Sequence, residues 1–88
     1  MPYIKAKDRP EIDRLVEPLI DMLREQSVDE VDGKVNYALT RVINGVYKPK
    51  YFNYNRAVGV LECVKLELYR RRVGPYEDEK IGENGDVS

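Results

Sequence analysis

The sequence predicts an all-α fold, a three-helix bundle-like domain with a long central C-terminal helix and an acidic tail. Three stretches place apolar residues three and four positions apart, which is the spacing of an amphipathic helix. Helix-breaking residues follow two of them, Pro49 after the second stretch and Gly74-Pro75 after the third. No segment alternates convincingly between apolar and polar residues, so we expect no β-sheet.

Composition is typical of one small, charged helical domain. The 88 residues are 42% apolar and 35% charged, which is too apolar for a disordered chain. The net charge of −1 gives no overall attraction to nucleic acid or to a membrane surface. A single cysteine cannot form an internal disulfide, which is consistent with the cytoplasmic location that we expect. No apolar run approaches the ~20 residues of a membrane span, so we expect no membrane partner.

The first helix is predicted over about residues 9–25. Asp8 is positioned to cap it, and Pro10 is tolerated in its first turn. Pro18 lies inside this range and removes one backbone hydrogen bond on the polar side of the helix. The sequence therefore predicts a bend at Pro18 rather than a break.

The second helix is predicted over about residues 34–47. The acidic, turn-rich residues 26–34 precede it as a connection, and Asp32 is the expected cap. Pro49 disfavours a helical conformation of the residue before it, so the helix is expected to end there.

The third helix is predicted over about residues 54–73, with Asn53 as its cap and Gly74-Pro75 as its terminator. Residues 1–74 then form the helical domain, and residues 75–88 form an acidic tail with five acids and one lysine. We expect helices 1 and 2 to pack on the broad apolar face of helix 3. That face consists of Tyr54, Ala57, Leu61, Val64 and Leu68, widened by Val58, Val60 and Tyr69.

A second, narrow apolar stripe lies on the opposite side of helix 3. It consists of Gly59, Cys63 and Leu66. The first two residues are small, so they let another helix approach closely. A helix that is apolar on two sides is buried on two sides. The stripe is therefore the predicted self-association seam of a non-enzymatic interaction or structural domain that forms a homodimer or higher oligomer. The rival prediction is that the tail folds back and covers the stripe with Tyr76 and Ile81.

Three consecutive arginines, Arg70, Arg71 and Arg72, end the predicted third helix. Their charges complement the helix dipole at its C-terminus and could pair with the acidic tail. The alternative is an anion or partner contact, as in a nucleic-acid-associated accessory protein. A helix-turn-helix would instead read bases with Asn53, Asn55 and Arg56, but its turn is long and its outer face is too apolar.

An enzyme is the third hypothesis, and it needs a site at a subunit interface. The chain has no histidine and only one cysteine, which removes the commonest general base and a structural zinc site. The carboxylates of the third helix, Glu62 and Glu67, diverge by roughly 140° at helical spacing, so they do not converge within one chain. We expect no cofactor, no metal and no catalytic residue. A different protein is the alternative partner to a second copy of the chain.

Several segments resemble a family of small uncharacterised proteins from archaea, bacteria and their phages. The resemblance spans nearly the whole chain and implies a small cytosolic helical protein, without an activity or functional residues. The segments are Pro2-Tyr3-Ile4, Asn36-Tyr37-Ala38-Leu39-Thr40, Gly59-Val60-Leu61-Glu62-Cys63-Val64-Lys65-Leu66-Glu67-Leu68-Tyr69-Arg70-Arg71, Pro75-Tyr76-Glu77-Asp78 and Glu83-Asn84-Gly85-Asp86-Val87.

Overall fold

The computed structural model describes residues 2–88, and these residues form helices without any strand. After a 3₁₀ turn come α1, α2 and one long helix in three consecutive parts. This long helix, which we call helix 3, consists of α3, a π-helical turn and α4. Their bounds are Ala6–Asp8 for the 3₁₀ turn, Arg9–Arg24 for α1, Val28–Val46 for α2, Tyr51–Leu68 for α3, Tyr69–Val73 for the π-helical turn and Gly74–Asn84 for α4. The all-α prediction is confirmed.

Helix α1 agrees with its predicted range. Asp8 occupies the N-cap position, but its side chain accepts no capping hydrogen bond, and Pro10 lies in the first turn. The helix continues through Pro18 without a break. The side chain of Arg9, the first residue of α1, donates two hydrogen bonds, of 3.0 and 2.8 Å, to the carbonyl of Ile4. These bonds hold the N-terminal segment against the start of the helix.

Helix α2 begins at Val28, earlier than predicted, and the expected cap Asp32 lies inside it. Ser27 is the N-cap residue, in an extended conformation, and its carbonyl accepts hydrogen bonds from the N–H groups of Glu30 and Val31. Acidic residues in the first turn stabilise the positive end of the helix dipole. The connection between α1 and α2 is therefore much shorter than the sequence suggested.

The predicted end of helix 3 at Gly74-Pro75 is wrong, because the helix continues to Asn84. Pro75 has no N–H and its ring would clash with a carbonyl one turn earlier. The π-helical turn just before it changes the hydrogen-bond register, and the N–H of Gly74 bonds to the carbonyl of Tyr69. A Cβ on Gly74 would lie 3.2 Å from that carbonyl oxygen, so glycine suits this close approach. Gly85, at φ 88°, ends the helix.

The acidic tail is thus mostly a helical extension of helix 3 and does not fold back over it. Lys80 pairs with Glu83 at 3.0 Å and lies 5.6 Å from the ring centre of Tyr76, both within α4. Within residues 2–88, no acid of the tail forms an ion pair with Arg70, Arg71 or Arg72.

The helices do not close into a packed bundle within one chain. Ala57, at 4% exposure, is the one buried residue of the part described, and all other apolar side chains are half-buried or exposed. The radius of gyration is 16.7 Å, whereas a compact domain of this length has about 12 Å. Helix α1 lies against α2, but helix 3 is not enclosed by the other two as predicted.

Side-chain contacts hold the turn between α2 and α3. The guanidinium carbon of Arg56 lies 5.4 Å from the ring centre of Tyr47 and 5.9 Å from that of Phe52. Asn53 is not the cap of its own helix, which begins at Tyr51. Its side-chain amide donates instead to the carbonyl of Lys48 at 3.1 Å. These contacts fix the turn from which α2 and α3 extend.

Candidate interaction surfaces

An apolar groove of about 300 Å³ lies between α2 and α3. Leu39 and Ile43 line it from α2, and Leu61 lines it from α3. Asn36 and Thr40 complete the lining and are hydrogen-bonded to each other at 3.2 Å. The groove contains no charged side chain, so it offers a surface for apolar groups and not for an ion.

The groove continues into an uncovered apolar strip on α2, which we call the inner strip. Its residues share one side of the helix at roughly 100° per residue, and all of them are exposed. They are Val28, Val35, Leu39, Val42 and Val46.

The apolar face of α3 is covered only near its start. Ala57 is buried, but one turn further on Leu61 is 41% exposed, and Val64 and Leu68 are more exposed still. We call Leu61, Val64 and Leu68 the inner face of α3. The broad face that the sequence assigned to the core is therefore an open surface beyond its first two turns.

The outer stripe predicted as a self-association seam is also open. Leu66 is 56% exposed, the Cys63 thiol is free and exposed, and a Cβ on Gly59 would contact nothing within 4 Å. The tail does not cover this stripe. Helix 3 thus presents two apolar surfaces to solvent, the inner face and the outer stripe.

A polar cluster ties the N-terminal segment to helix 3. The hydroxyl of Tyr3 donates a hydrogen bond to the carboxylate of Glu67 and accepts one of 3.2 Å from Arg70. Arg70 also pairs with Glu67 at 3.0 Å. The cluster therefore connects residues more than sixty positions apart and engages the first of the three arginines.

The cluster lowers the pKa of Glu67 below its ordinary value of 4.5. The hydrogen bond from Tyr3 is the largest cause, and the charges of Arg70 and Arg71 lower the pKa further against partial desolvation, which raises it. Because the folded carboxyl has the lower pKa, its contribution to stability is present above pH 4.5 and is lost as the pH falls through the folded value.

Tyr3→Phe is expected to raise the pKa of Glu67 toward its ordinary value, because the variant lacks the hydroxyl that donates to the carboxylate. Carboxyl ¹³C NMR titration of Glu67 measures this change. Tyr37→Phe is the matched control, since Tyr37 is exposed and is not part of the cluster. An unchanged Glu67 titration in Tyr3→Phe would show that the cluster does not form in solution.

The other two arginines are not engaged in the same way. Within residues 2–88, neither Arg71 nor Arg72 forms an ion pair. Both line a shallow depression beside Tyr3 and Leu68. The structure therefore separates the predicted arginine cluster into one neutralised residue and two that remain open to an anion or a partner.

The two carboxylates considered for catalysis are not brought together. Glu62 pairs with Lys65 at 2.9 Å in an exposed ion pair, and Glu67 belongs to the Tyr3 cluster. Across the described chain, no group of three histidine, cysteine, aspartate or glutamate residues could hold a metal ion. No helix between residues 2 and 88 is both long and apolar enough to cross a membrane.

Comparison with known proteins places the chain in a family. Residues 1–87 match a domain of unknown function, DUF6899. The chain belongs to the DUF6899 family. No curated protein and no solved structure matches it. Membership of DUF6899 confirms the resemblance to an uncharacterised family, while the spread over archaea, bacteria and phages stays a prediction.

Sequence reasoning missed the Tyr3 cluster and the inner strip of α2 in this DUF6899 chain. No local signal could have linked Tyr3 to Glu67, because the tertiary fold alone brings them together. The strip was visible as helical spacing from Val35 onward, but it was assigned to a closed core.

Proposed function

We propose that this DUF6899 chain is a non-enzymatic structural or interaction domain that self-associates as a homodimer or higher oligomer and uses its third helix to do so. The observation that carries this proposal is that Ala57 is the one buried residue between residues 2 and 88. Hydrophobic burial is the main favourable term in folding, so a chain with almost no core gains little from folding alone.

The exposed area supports the same proposal. The solvent-accessible surface is 8084 Å², about 2,700 Å² more than the ~5,400 Å² of a compact monomer of this mass. A partner that binds only the folded form stabilises it by mass action, and many obligate homodimers have no stable folded monomer. A second copy of the chain is the simplest such partner, because every molecule carries the same apolar faces.

Two surfaces of helix 3 are candidates for the contact. The first is the outer stripe of Gly59, Cys63 and Leu66, and the second is the inner face of Leu61, Val64 and Leu68. Both are apolar and uncovered. The exposed free thiol of Cys63 favours a reducing compartment, and we propose a cytoplasmic location. Detection in a membrane or secreted fraction of the native host would contradict that location.

Size-exclusion chromatography with light scattering tests the proposal. At micromolar concentration the wild-type chain is expected to have at least twice the mass of one chain. A stable, folded monomer over that range would rule out self-association as the function.

The arrangement of the arginines gives the nucleic-acid alternative little support. Arg70 is bound to Glu67 and Tyr3, which leaves Arg71 and Arg72 as free contacts. Each neutralised phosphate adds to the salt dependence of binding, and two contacts give only weak binding. The absence of a gel shift at low salt would remove this alternative.

A further inference from the structure

We propose that the inner strip of α2 and the inner face of α3 dock against the same surfaces of a second copy of this chain, so that the hydrophobic core forms between two chains. This inference rests on the proposed self-association and specifies the surface used. It assigns the dimer contact to the inner surfaces and leaves the outer stripe of Gly59, Cys63 and Leu66 exposed to solvent.

The exposure pattern of α2 supports a missing neighbour. A helix that packs its apolar face onto its own domain is most buried along the centre of that face. In α2 the half-buried residues, Val31, Ala38 and Ile43, lie at the edges of the apolar face. The centre is the inner strip, where Val35 is 37% and Leu39 is 50% exposed. The neighbouring helices of the same chain therefore touch the edges of this face and leave its centre open.

Helix α3 carries the pattern of a helix–helix seam on its corresponding side. Its apolar residues alternate in steps of three and four positions, which is the heptad spacing of packed helices. They are Tyr54, Ala57, Leu61, Val64 and Leu68. The seam is covered at Ala57 and open from Leu61 onward. Ala57 is thus covered by its own chain, and the residues from Leu61 onward are available to another helix.

The excess surface agrees with an obligate contact between copies. Obligate homodimers bury about 2,000–5,000 Å² in total, or about 1,000–2,500 Å² for each chain. The excess over a compact monomer, about 2,700 Å² for each chain, is enough for such an interface. A small transient interface would leave most of the apolar surface uncovered.

The chemistry of the inner surfaces favours a second copy over an unrelated partner. A two-fold dimer brings the same patch of each chain together, so the patch must be complementary to itself. From Val35 to Val46 the apolar arc of α2, about 120° wide, contains no charged residue that would meet its own copy, and Asp32, one turn earlier, is the one charged residue on that side of α2. Two such α2–α3 pairs form a four-helix arrangement with apolar residues inside.

Thiol protection tests the surface without a disruptive substitution. The native Cys63 reports on the outer stripe. Val42→Cys in a Cys63→Ser background reports on the inner strip, and it changes the side-chain volume little. Each protein is labelled with a maleimide reagent in its native state and in urea, after light scattering has measured its mass. In the dimer, the thiol introduced by Val42→Cys is expected to react at least ~100-fold more slowly than in urea, because labelling needs opening of the interface. The native Cys63 is expected to react within a few-fold of its rate in urea.

The possible results separate this inference from the proposed function. A dimer that protects Cys63 and leaves the introduced thiol reactive means that the outer stripe is the seam, so the inner docking is wrong while self-association stands. A monomer with both thiols reactive contradicts both. A monomer whose introduced thiol becomes protected only when another protein or lipid vesicles are added means a different occupant, which also overturns the inference.

Discussion

Leu61→Asp is expected to dissociate the protein and to remove most of its helical structure at micromolar concentration. Burying one leucine side chain contributes about 1.5–3 kcal/mol, and a symmetric dimer carries the substitution twice. An aspartate in the interface would also lose its hydration without gaining a partner. The two leucines together account for about 3–6 kcal/mol, which corresponds to a ~10²- to 10⁴-fold weaker dimer. Light scattering measures the mass, and far-UV circular dichroism measures the helix content.

Leu66→Asp is the matched control for this substitution. It introduces the same residue on the same helix, about 140° away on the outer stripe, where Leu66 is 56% exposed against 41% for Leu61 in one chain. We expect it to keep the mass and helix content of the wild type. If Leu66→Asp dissociates the protein and Leu61→Asp does not, the outer stripe carries the contact.

Ala57→Asp is expected to destabilise the protein by about 3 kcal/mol or more, since it buries a charge without a partner at the one buried position among residues 2–88. The substitution acts near the turn that Arg56 and Asn53 hold together. Urea unfolding followed by circular dichroism, at one protein concentration for all variants, measures the change.

Asn55→Asp introduces the same charge two residues away on an exposed surface of α3. It is expected to change the free energy of unfolding by less than about 0.5 kcal/mol. Equal destabilisation by the two substitutions would show that Ala57 is not buried in solution, and that the turn between α2 and α3 does not pack as described.

The helical class and the approximate position of each helix could be predicted, because amphipathic spacing depends only on local sequence. The start of α2 could also have been predicted from the sequence. Ser27 and Glu30 have the spacing of a capping box, which marks a helix beginning at Val28. Asp32 is not the cap, because the acidic stretch before it is already helical.

The continuation of helix 3 through Gly74-Pro75 was not predictable from helix signals alone. This residue pair usually ends a helix, and the local signal was interpreted in that sense. A π-helical turn changes the hydrogen-bond register before the proline, and glycine at 74 leaves room for the carbonyl of Tyr69. No spacing of apolar residues in the sequence indicates this change of hydrogen-bond register.

The candidate surfaces were only partly predictable. The sequence placed the residues of the inner face and the outer stripe correctly on opposite sides of helix 3. It could not show that the broad face stays uncovered, because periodicity identifies an apolar face without identifying the chain that covers it. Leu61 and Val64 look the same in a monomeric core and in an interface between two copies.

Thermal unfolding over a dilution series tests the central claim, that the core forms between chains. For a dimer whose folding and association are coupled, each tenfold dilution removes about 1.4 kcal/mol of stability. The midpoint followed by circular dichroism is therefore expected to fall by about 3–5 °C for each tenfold dilution. A midpoint that is the same at every concentration would mean that one chain folds alone, and would contradict the account.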